Sequence, residues 1–456
     1  MLQPRRKAAA LIAGMVCISV MAGWGRAADR GRIRRTQAEQ VAKTPQARPL
    51  GLADLEQLAL QHNPTLAQAR AQIEISRSKA LQAGLYLNPT IGSDSEQMGT
   101  RGQPGAGFGE RQGGFIQQEI VTAGKLKLSR AKYQQEAYQA EIQATAQQLR
   151  IINGIYRAYY DVLADQRLIE VHRELQQNAE DAAKTTEEMV NVGQANRPDL
   201  LQARIEARRA RVDLKTAENN SRRAWEHLVT LVGTPELPTT PLDGALEPEG
   251  NPIEWETALT RLYLESPELR LACAEVTRDE ITLQRERAEP VPNINLRGGT
   301  GYNFETRATT ADASLYIRVP LFDRNQGTIK QAEWELVRAR AEITRVELSL
   351  RKRLADAFAR YENARASADD YRELSLPESQ EAYRLQMDQF RKQRQAWPNV
   401  LVAERTYKQM SMDYVKTLLE LRRAEVEING LLLVDGLTEA QGPRPGGHID
   451  ATPKPR

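Results

Sequence analysis

Cysteine is nearly absent from this chain: Cys17 and Cys273 are the only two, and Cys17 lies in an N-terminal stretch that reads as an export signal. A mature chain with one thiol cannot form an internal disulfide, so its stability has to come from packing or from other copies. Histidine is equally scarce. His62, His172, His227 and His448 are scattered, with no Cys/His spacing and no helical His pair, which removes the usual basis for a metal centre. Aromatics are only 5% of the residues, and the abundance of Ala, Gln, Glu, Arg and Leu is that of long packed helices with a thin core. Beyond the signal, no apolar run has the length of a membrane helix. Enzyme signatures are missing too. Gly124-Lys125 lacks the upstream Gly and following Ser/Thr of a phosphate loop, the Gly105 to Gly109 run sits between strand-like segments, and no Gly-x-Ser-x-Gly occurs. Neither a catalytic group nor a cofactor is expected.

The signal consists of Arg5, Arg6 and Lys7, an apolar core from Ala8 to Val20, and small residues in Gly25-Arg26-Ala27, with cleavage expected after Ala27. It carries four basic residues and no acidic ones, so its removal takes the formal net charge from +3 to −1. Nucleic acid is thereby set aside as a partner, since a basic footprint is its first requirement.

What the chain does contain is the same text twice, about 200 residues apart. Asn63-Pro64 is echoed by Ser266-Pro267, Asn88-Pro89-Thr90-Ile91 by Val291-Pro292-Asn293-Ile294, and Pro198-Asp199-Leu200-Leu201 by Pro398-Asn399-Val400-Leu401. The organisation expected is a signal (1–27), a flexible segment (28–50), a first repeat (51–234), a Pro-rich linker (235–252), a second repeat (253–434) and a disordered tail (435–456). In the first repeat, Leu55, Leu58, Ala59, Leu66, Ala69 and Ile73 mark a helix interrupted at Asn63-Pro64. The period then changes to two, which predicts strands from Pro89 to Met98 and from Gly114 to Val121, joined by a loop containing Gly99, Gly102, Gly105, Gly107 and Gly109. From Ala123 to about Asn191 there is no proline, and Ile142, Thr145, Leu149, Ile152, Tyr156, Tyr159 and Leu163 trace a coiled-coil seam along a helix about 100 Å long. A reversal near 192–198 sends the chain back.

The second repeat predicts strands from Pro292 to Phe304 and from Ala313 to Leu321, then a long helix from Gly327 to Gln393 kinked at Pro377, a reversal near 393–398 and a return helix to Leu433. Four strands of about ten residues suit a tilted crossing of a bilayer, yet closed membrane barrels begin at about eight strands, so several copies would have to close one together.

The order of signal, then helix broken before a proline, strand pair, long helix and reversing turn, the last four given twice with Asn63-Pro64 and Val192-Gly193 in the first repeat, resembles the TolC-type outer membrane efflux proteins over about residues 50 to 434. Leu52-Ala53-Asp54-Leu55, His62-Asn63-Pro64, Gln118 to Lys125, Val192-Gly193, Pro198 to Ala203 and Val319 to Asp323 are most similar to the cobalt-zinc-cadmium resistance branch. The resemblance implies a mainly α fold with a small membrane β-barrel: a homotrimer in which duplicated helical hairpins form an α-barrel tunnel in the periplasm, below a 12-stranded barrel in the outer membrane lipid. It implies a passive exit channel for heavy-metal cations or drugs, working with a periplasmic membrane-fusion adaptor and an inner-membrane pump of the RND type.

On that reading the adaptor-docking and gating residues are the hairpin tips, Gly193, Pro198, Asp199, Leu200 and Leu201 with Pro398, Asn399, Val400 and Leu401. Local chemistry accounts for the same residues as a helix turn, with Gly as C-terminal cap and Pro in the first turn. The family often closes the tunnel with an acidic ring on the second hairpin, where this chain has Asn399 and Val402; Asp199 keeps one carboxylate at the first, where it also suits a helix N-terminus. The rival reading is a periplasmic coiled-coil scaffold or adaptor without a barrel.

Overall fold

The computed structural model describes residues 50–96, 111–248, 250–392, 394–395, 397–439 and 441–443. The export signal, most of the flexible segment, the glycine-rich loop and the last residues of the tail lie outside the described residues. The chain opens with α1 (Leu52–His62) and α2 (Pro64–Ala83), divided where sequence expects. Pro64 has no N–H and forces its neighbour out of the helical region, leaving Asn63 extended at φ −69°, ψ 122°. The Asn63 side chain uses the break: Oδ1 accepts from the Thr65 backbone N–H at 2.9 Å and Nδ2 donates to the Leu231 carbonyl at 2.7 Å. The second repeat divides in the same way, into α5 (Trp255–Glu265) and α6 (Pro267–Ala288), at Ser266.

Between each broken helix and the following long helix lies a strand pair: β1 (Thr90–Glu96) with β2 (Arg111–Ile120), and β3 (Ile294–Asn303) with β4 (Ala308–Ile317). They form one antiparallel sheet in the order β1-β2-β3-β4. The repeats therefore meet within a sheet, through the β2–β3 ladder from Arg111↔Asn303 to Ile120↔Ile294.

Strand existence agrees with the sequence reading and strand limits do not. β4 was expected at Ala313 to Leu321, but it starts five residues earlier and stops at Ile317. Pro320 cannot donate to a ladder, and the Leu321 N–H turns back onto the Val319 carbonyl at 3.0 Å. β2 begins at Arg111 instead of Gly114.

The long helices are α3 (Lys125–Asn191, 67 residues) with its return α4 (Arg197–Val232), and α7 (Gln326–Asp370) continued by α8 (Leu376–Arg391) with its return α9 (Trp397–Asn429). Between α7 and α8 the chain passes through a π-helical turn, Tyr371–Ser375, which places Pro377 in the first turn of α8. The wider turn absorbs the missing donor and the ring that would break a regular helix. Gly124-Lys125 finds a structural use at the foot of the sheet. The buried Lys125 ammonium donates to the Val291 carbonyl at 2.7 Å and to Asn293 Oδ1 at 3.0 Å, tying the start of α3 to the start of β3.

The single seam expected along α3 is corrected by the packing. Of its members Ile142, Tyr159 and Leu163 are buried, but Thr145 is exposed and Leu149, Ile152 and Tyr156 are half-buried, whereas Ile151, Ile155, Ala158 and Val162, outside the seam, are buried. α3 has α2, α4, α6 and α9 around it, so its apolar surface is spread over several faces and not one stripe. The main core gathers Leu55, Ile155, Leu228, Leu350, Leu354 and Leu421 where these helices run together.

The Pro-rich linker is a docked strap. Leu242 and Leu246 are buried in the core, Leu50 bridges to Leu242, and the Tyr159 hydroxyl donates to the Asp243 carbonyl. The start of the expected disordered tail is likewise packed: Gly436 is buried, and its carbonyl accepts from Thr65 Oγ1 and Gln147 Nε2 at 3.3 and 3.2 Å. Buried leucines hold both segments against the core: Leu242 and Leu246 within the linker, and Leu431, Leu432 and Leu433 just before the tail.

Candidate functional site: hairpin tips and strand lining

At the first tip, α3 ends in a Schellman motif. The Gln194 N–H donates to the Met189 carbonyl at 2.7 Å and the Gly193 N–H to Val190 at 3.0 Å, with Gly193 left-handed at φ 77°. A Cβ at Gly193 would meet nothing within 4 Å, so glycine is there for its backbone and the surface around it is open. Pro198 and Asp199 occupy the first turn of α4. Pro198 and Leu201 are exposed, while Asp199 and Leu200 are half-buried. The second tip repeats the reversal, with the Arg394 N–H donating to the Gln389 carbonyl at 2.9 Å.

The predicted residues of the second tip separate into two groups. Pro398 and Asn399 are exposed, and Asn399 Nδ2 donates to Gln395 Oε1 at 2.5 Å. Val400 and Leu401, at 0% and 8% exposure, lie in a small core with Met189, Ala203, Phe390 and Trp397. They hold the two tips together and present little surface of their own. Trp397 is what the sequence reading missed. Read there only as part of the turn, it is 2% exposed and packs against Phe390 at 5.1 Å between ring centroids.

Behind the tips α4 and α9 flank a groove of about 470 Å³ lined by Ile205, Glu206, Val212, Asp213, Glu404 and Lys408 among others. Arg405 bonds Glu206 at 2.6 Å and Lys408 bonds Asp213 at 2.5 Å, so ion pairs cross from one hairpin to the other. Glu404 is the odd member. Burial, and then the Glu206 charge, push its carboxyl up to about 7, with Lys408 and Arg405 pulling the other way. His172 also lies by Lys408 and Asp213 and is shifted down, chiefly by burial. Among the described residues no group of His, Cys, Asp and Glu could hold a metal ion.

At the opposite end of the helices, the sheet has two unlike faces. Register puts Asp94, Gly113, Gly301 and Thr310 in one row, with Gly92, Phe115, Gly299 and Asp312 in the next row on that face. Among the described residues, the side-chain bonds from strand to strand lie here. Arg111 pairs with Glu96 at 3.3 Å and with Asp312, Arg297 pairs with Asp94, and Gln117 donates to the Tyr316 hydroxyl at 2.6 Å. In the three rows nearest the helices the other face carries Ile91 opposite Ile116, Leu296 opposite Leu315, and Ile120, Ile294 and Ile317 in one row, with Gln118 among them; the two rows beyond carry Ser93, Thr300, Ser95, Gln112, Tyr302 and Thr309. Most of these are well exposed, Ile91 at 78% and Leu315 at 67%.

An exposed apolar band on one face, backed by an ionic face, is the alternation of a membrane barrel strand, apolar toward lipid and polar toward lumen. Among the described residues no helix is long and apolar enough to cross a membrane. The sequence predicts strands here but not the pairs of Arg111 and Arg297, whose partners are about 200 residues away along the chain.

Known proteins share this architecture. The family described as outer membrane efflux protein matches residues 55–234 and 258–432, one stretch on each repeat. The cobalt-zinc-cadmium resistance protein CzcC of Cupriavidus metallidurans is 24% identical over 387 residues, 85% of this chain and 90% of that protein. The outer membrane protein VceC of Vibrio cholerae superposes with a TM-score of 0.69 at 18% identity, over 84% of this chain and 96% of VceC. The open-state MtrE outer membrane channel of Neisseria gonorrhoeae gives a TM-score of 0.70 at 18% identity, over 86% and 90% of the two chains. With both repeats matched and the fold of helical-tunnel channels in place, the chain belongs to the outer membrane efflux protein family, a channel of the outer membrane and not an enzyme.

Proposed function

We propose that three copies of this chain close a 12-stranded barrel in the outer membrane above a periplasmic helical tunnel, as the exit duct of a tripartite efflux system. The observation that carries this reading is the four-stranded sheet with one ionic face, an apolar band on the other and β1 and β4 at its two edges. Unpaired backbone edges are not tolerated in lipid, and four strands are too few to close on themselves. Three sheets joined edge to edge satisfy every ladder and leave the ionic faces around a common lumen.

The tunnel receives substrate from a periplasmic membrane-fusion adaptor coupled to an inner-membrane pump of the RND type. Gly193, Pro198, Asp199, Leu200, Leu201, Pro398 and Asn399 form the docking and gating rim, and Val400 and Leu401 set its geometry from beneath. Conduction is passive. The lining fits cations, because the ionic face of the described strands carries Asp94, Glu96, Glu119 and Asp312 against Arg111 and Arg297. The resistance named for CzcC makes divalent heavy-metal ions the first cargo to test.

Deletion of the gene is expected to raise cellular cobalt, zinc or cadmium and to sensitise cells, with plasmid-borne protein restoring both. Membranes should yield a trimer that dissociates on heating in detergent. A protein released with the soluble periplasmic fraction as a monomer would overturn the reading.

A further inference from the structure

Side chains on a strand normally stand up from the sheet. On the ionic face of this one, they lie down. The Phe115 ring covers Gly92, where a Cβ would come within 2.7 Å of its Cζ. The Arg297 guanidinium lies over Phe115 at 4.0 Å from the ring centroid, and crosses β2 to reach Asp94 on β1. Arg111 crosses β3 to reach Asp312 on β4, passing over Gly301, where a Cβ would stand 2.9 Å from its Nε. At Gly299 a Cβ would stand 2.9 Å from Asp312 Oδ1. The other face has no such crowding: a Cβ at Gly298 would meet only the Asp312 carbonyl oxygen at 4.0 Å, and one at Gly114 only the Gly92 carbonyl oxygen at 3.6 Å.

We propose that Gly92, Gly299 and Gly301 are bore-setting residues: they are slots in the lumen wall into which Phe115, Asp312 and Arg111 fold flat, so that the passage stays wide where the lining is most heavily charged. The proposal rests on the channel reading above. Its chemistry is steric and electrostatic together. A methyl group in a slot lifts the side chain lying there away from the wall, and lifting Phe115 also displaces the Arg297 guanidinium stacked on it from Asp94. Threefold closure repeats each slot at the same height, so one substitution narrows the passage from three sides at once. These glycines would then decide the largest substrate that leaves the barrel.

Gly92 allows the cleanest test, because its slot is filled by a side chain alone, whereas a Cβ at Gly301 would also meet the Gln112 carbonyl oxygen at 2.7 Å. Thr90 lies on the same face, one row nearer the helices, and a thiol there is reached from outside the cell only past the slots. Cells carrying Thr90→Cys in a Cys273→Ser background are labelled with ethylammonium methanethiosulfonate and with methanethiosulfonates on polyethylene glycols of graded length. Adding Gly92→Ala should lower the largest polymer that still labels, and adding Phe115→Ala to that variant should restore it. Gly298→Ala should leave the limit unchanged. Phe115→Ala alone should also leave it unchanged, because the ring lies in the slot and not in the lumen; this arm holds even where Gly92→Ala fails to assemble.

An unchanged limit in Gly92→Ala with intact heat-dissociable trimers, or a raised limit in Phe115→Ala, overturns the inference and leaves the channel standing. Failure of the small reagent to label the parent Thr90→Cys protein from outside overturns the channel reading and the inference with it.

Discussion

Gly193 and Glu404 illustrate how single positions near the tips act through different physics. At Gly193 the left-handed φ of 77° strains any β-branched side chain, while the open space around it gives no packing reason for glycine. Gly193→Val is expected to abolish pump-dependent export while leaving the trimer in the outer membrane, checked by metal efflux beside heat-dissociation gels; unchanged export would remove the tip from the docking rim. For Glu404 the sign follows from a carboxyl raised from 4.5 to about 7. The folded state holds this proton more tightly than the unfolded state, so stability falls as pH rises from about 4.5 through about 7, and the cost is complete above that window. Glu404→Gln should flatten that slope, stabilising the protein above neutrality and changing little in acid. Paired melting curves at the two pH extremes measure it. Trp397 belongs to the same neighbourhood, and Trp397→Ala should cost about 3–5 kcal/mol by leaving a cavity between the tips. Among the described residues its buried Nε1 has no hydrogen-bond partner, so Trp397→Phe should be far milder in denaturant titration.

At the scale of elements, what was legible in the sequence is what local chemistry dictates. Asn63-Pro64 has to break a helix, Gly193 has to end one, and Pro198 belongs in a first turn; each signal is complete within a few residues, and each was read correctly. The errors share a different cause. β4 was extended to Leu321 because Val319 and Leu321 continue the alternation past Pro320, and a two-residue period does not say where pairing stops. The α3 seam is only partly right, with Ile142, Tyr159 and Leu163 buried, because a helix with neighbours on several sides has no single apolar stripe. Arg111 with Asp312 and Arg297 with Asp94 are about 200 residues apart in sequence, so no window of the chain contains both members of either pair. The candidate site was half legible for the same reason. Turn chemistry located both tips, but only packing tells exposed Pro398 and Asn399 from buried Val400 and Leu401. Asp94→Asn should release Arg297 from the wall and move the reversal potential of the reconstituted channel toward anions, measured across a salt gradient in a planar bilayer.

At the scale of the whole molecule, the duplication seen in the sequence became a division of labour that neither repeat performs alone. The first repeat supplies β1 and β2, the second β3 and β4, and the β2–β3 ladder is internal to the sheet. A chain ending near residue 234 would carry β2 with a bare edge, and it is expected to yield no heat-dissociable trimer in outer membrane preparations. The halves are bound together unequally along their length. At the sheet end a ten-residue backbone ladder joins them, whereas behind the tips the cross-links include side-chain ion pairs such as Arg405 with Glu206, whose arginine is 61% exposed and which are each worth about 0–1 kcal/mol. The tips are pinned as well, by the apolar cluster of Val400, Leu401 and Trp397 with Met189 and Ala203. The two hairpins of a protomer are therefore coupled at both ends, and a force applied at one tip is carried to the other.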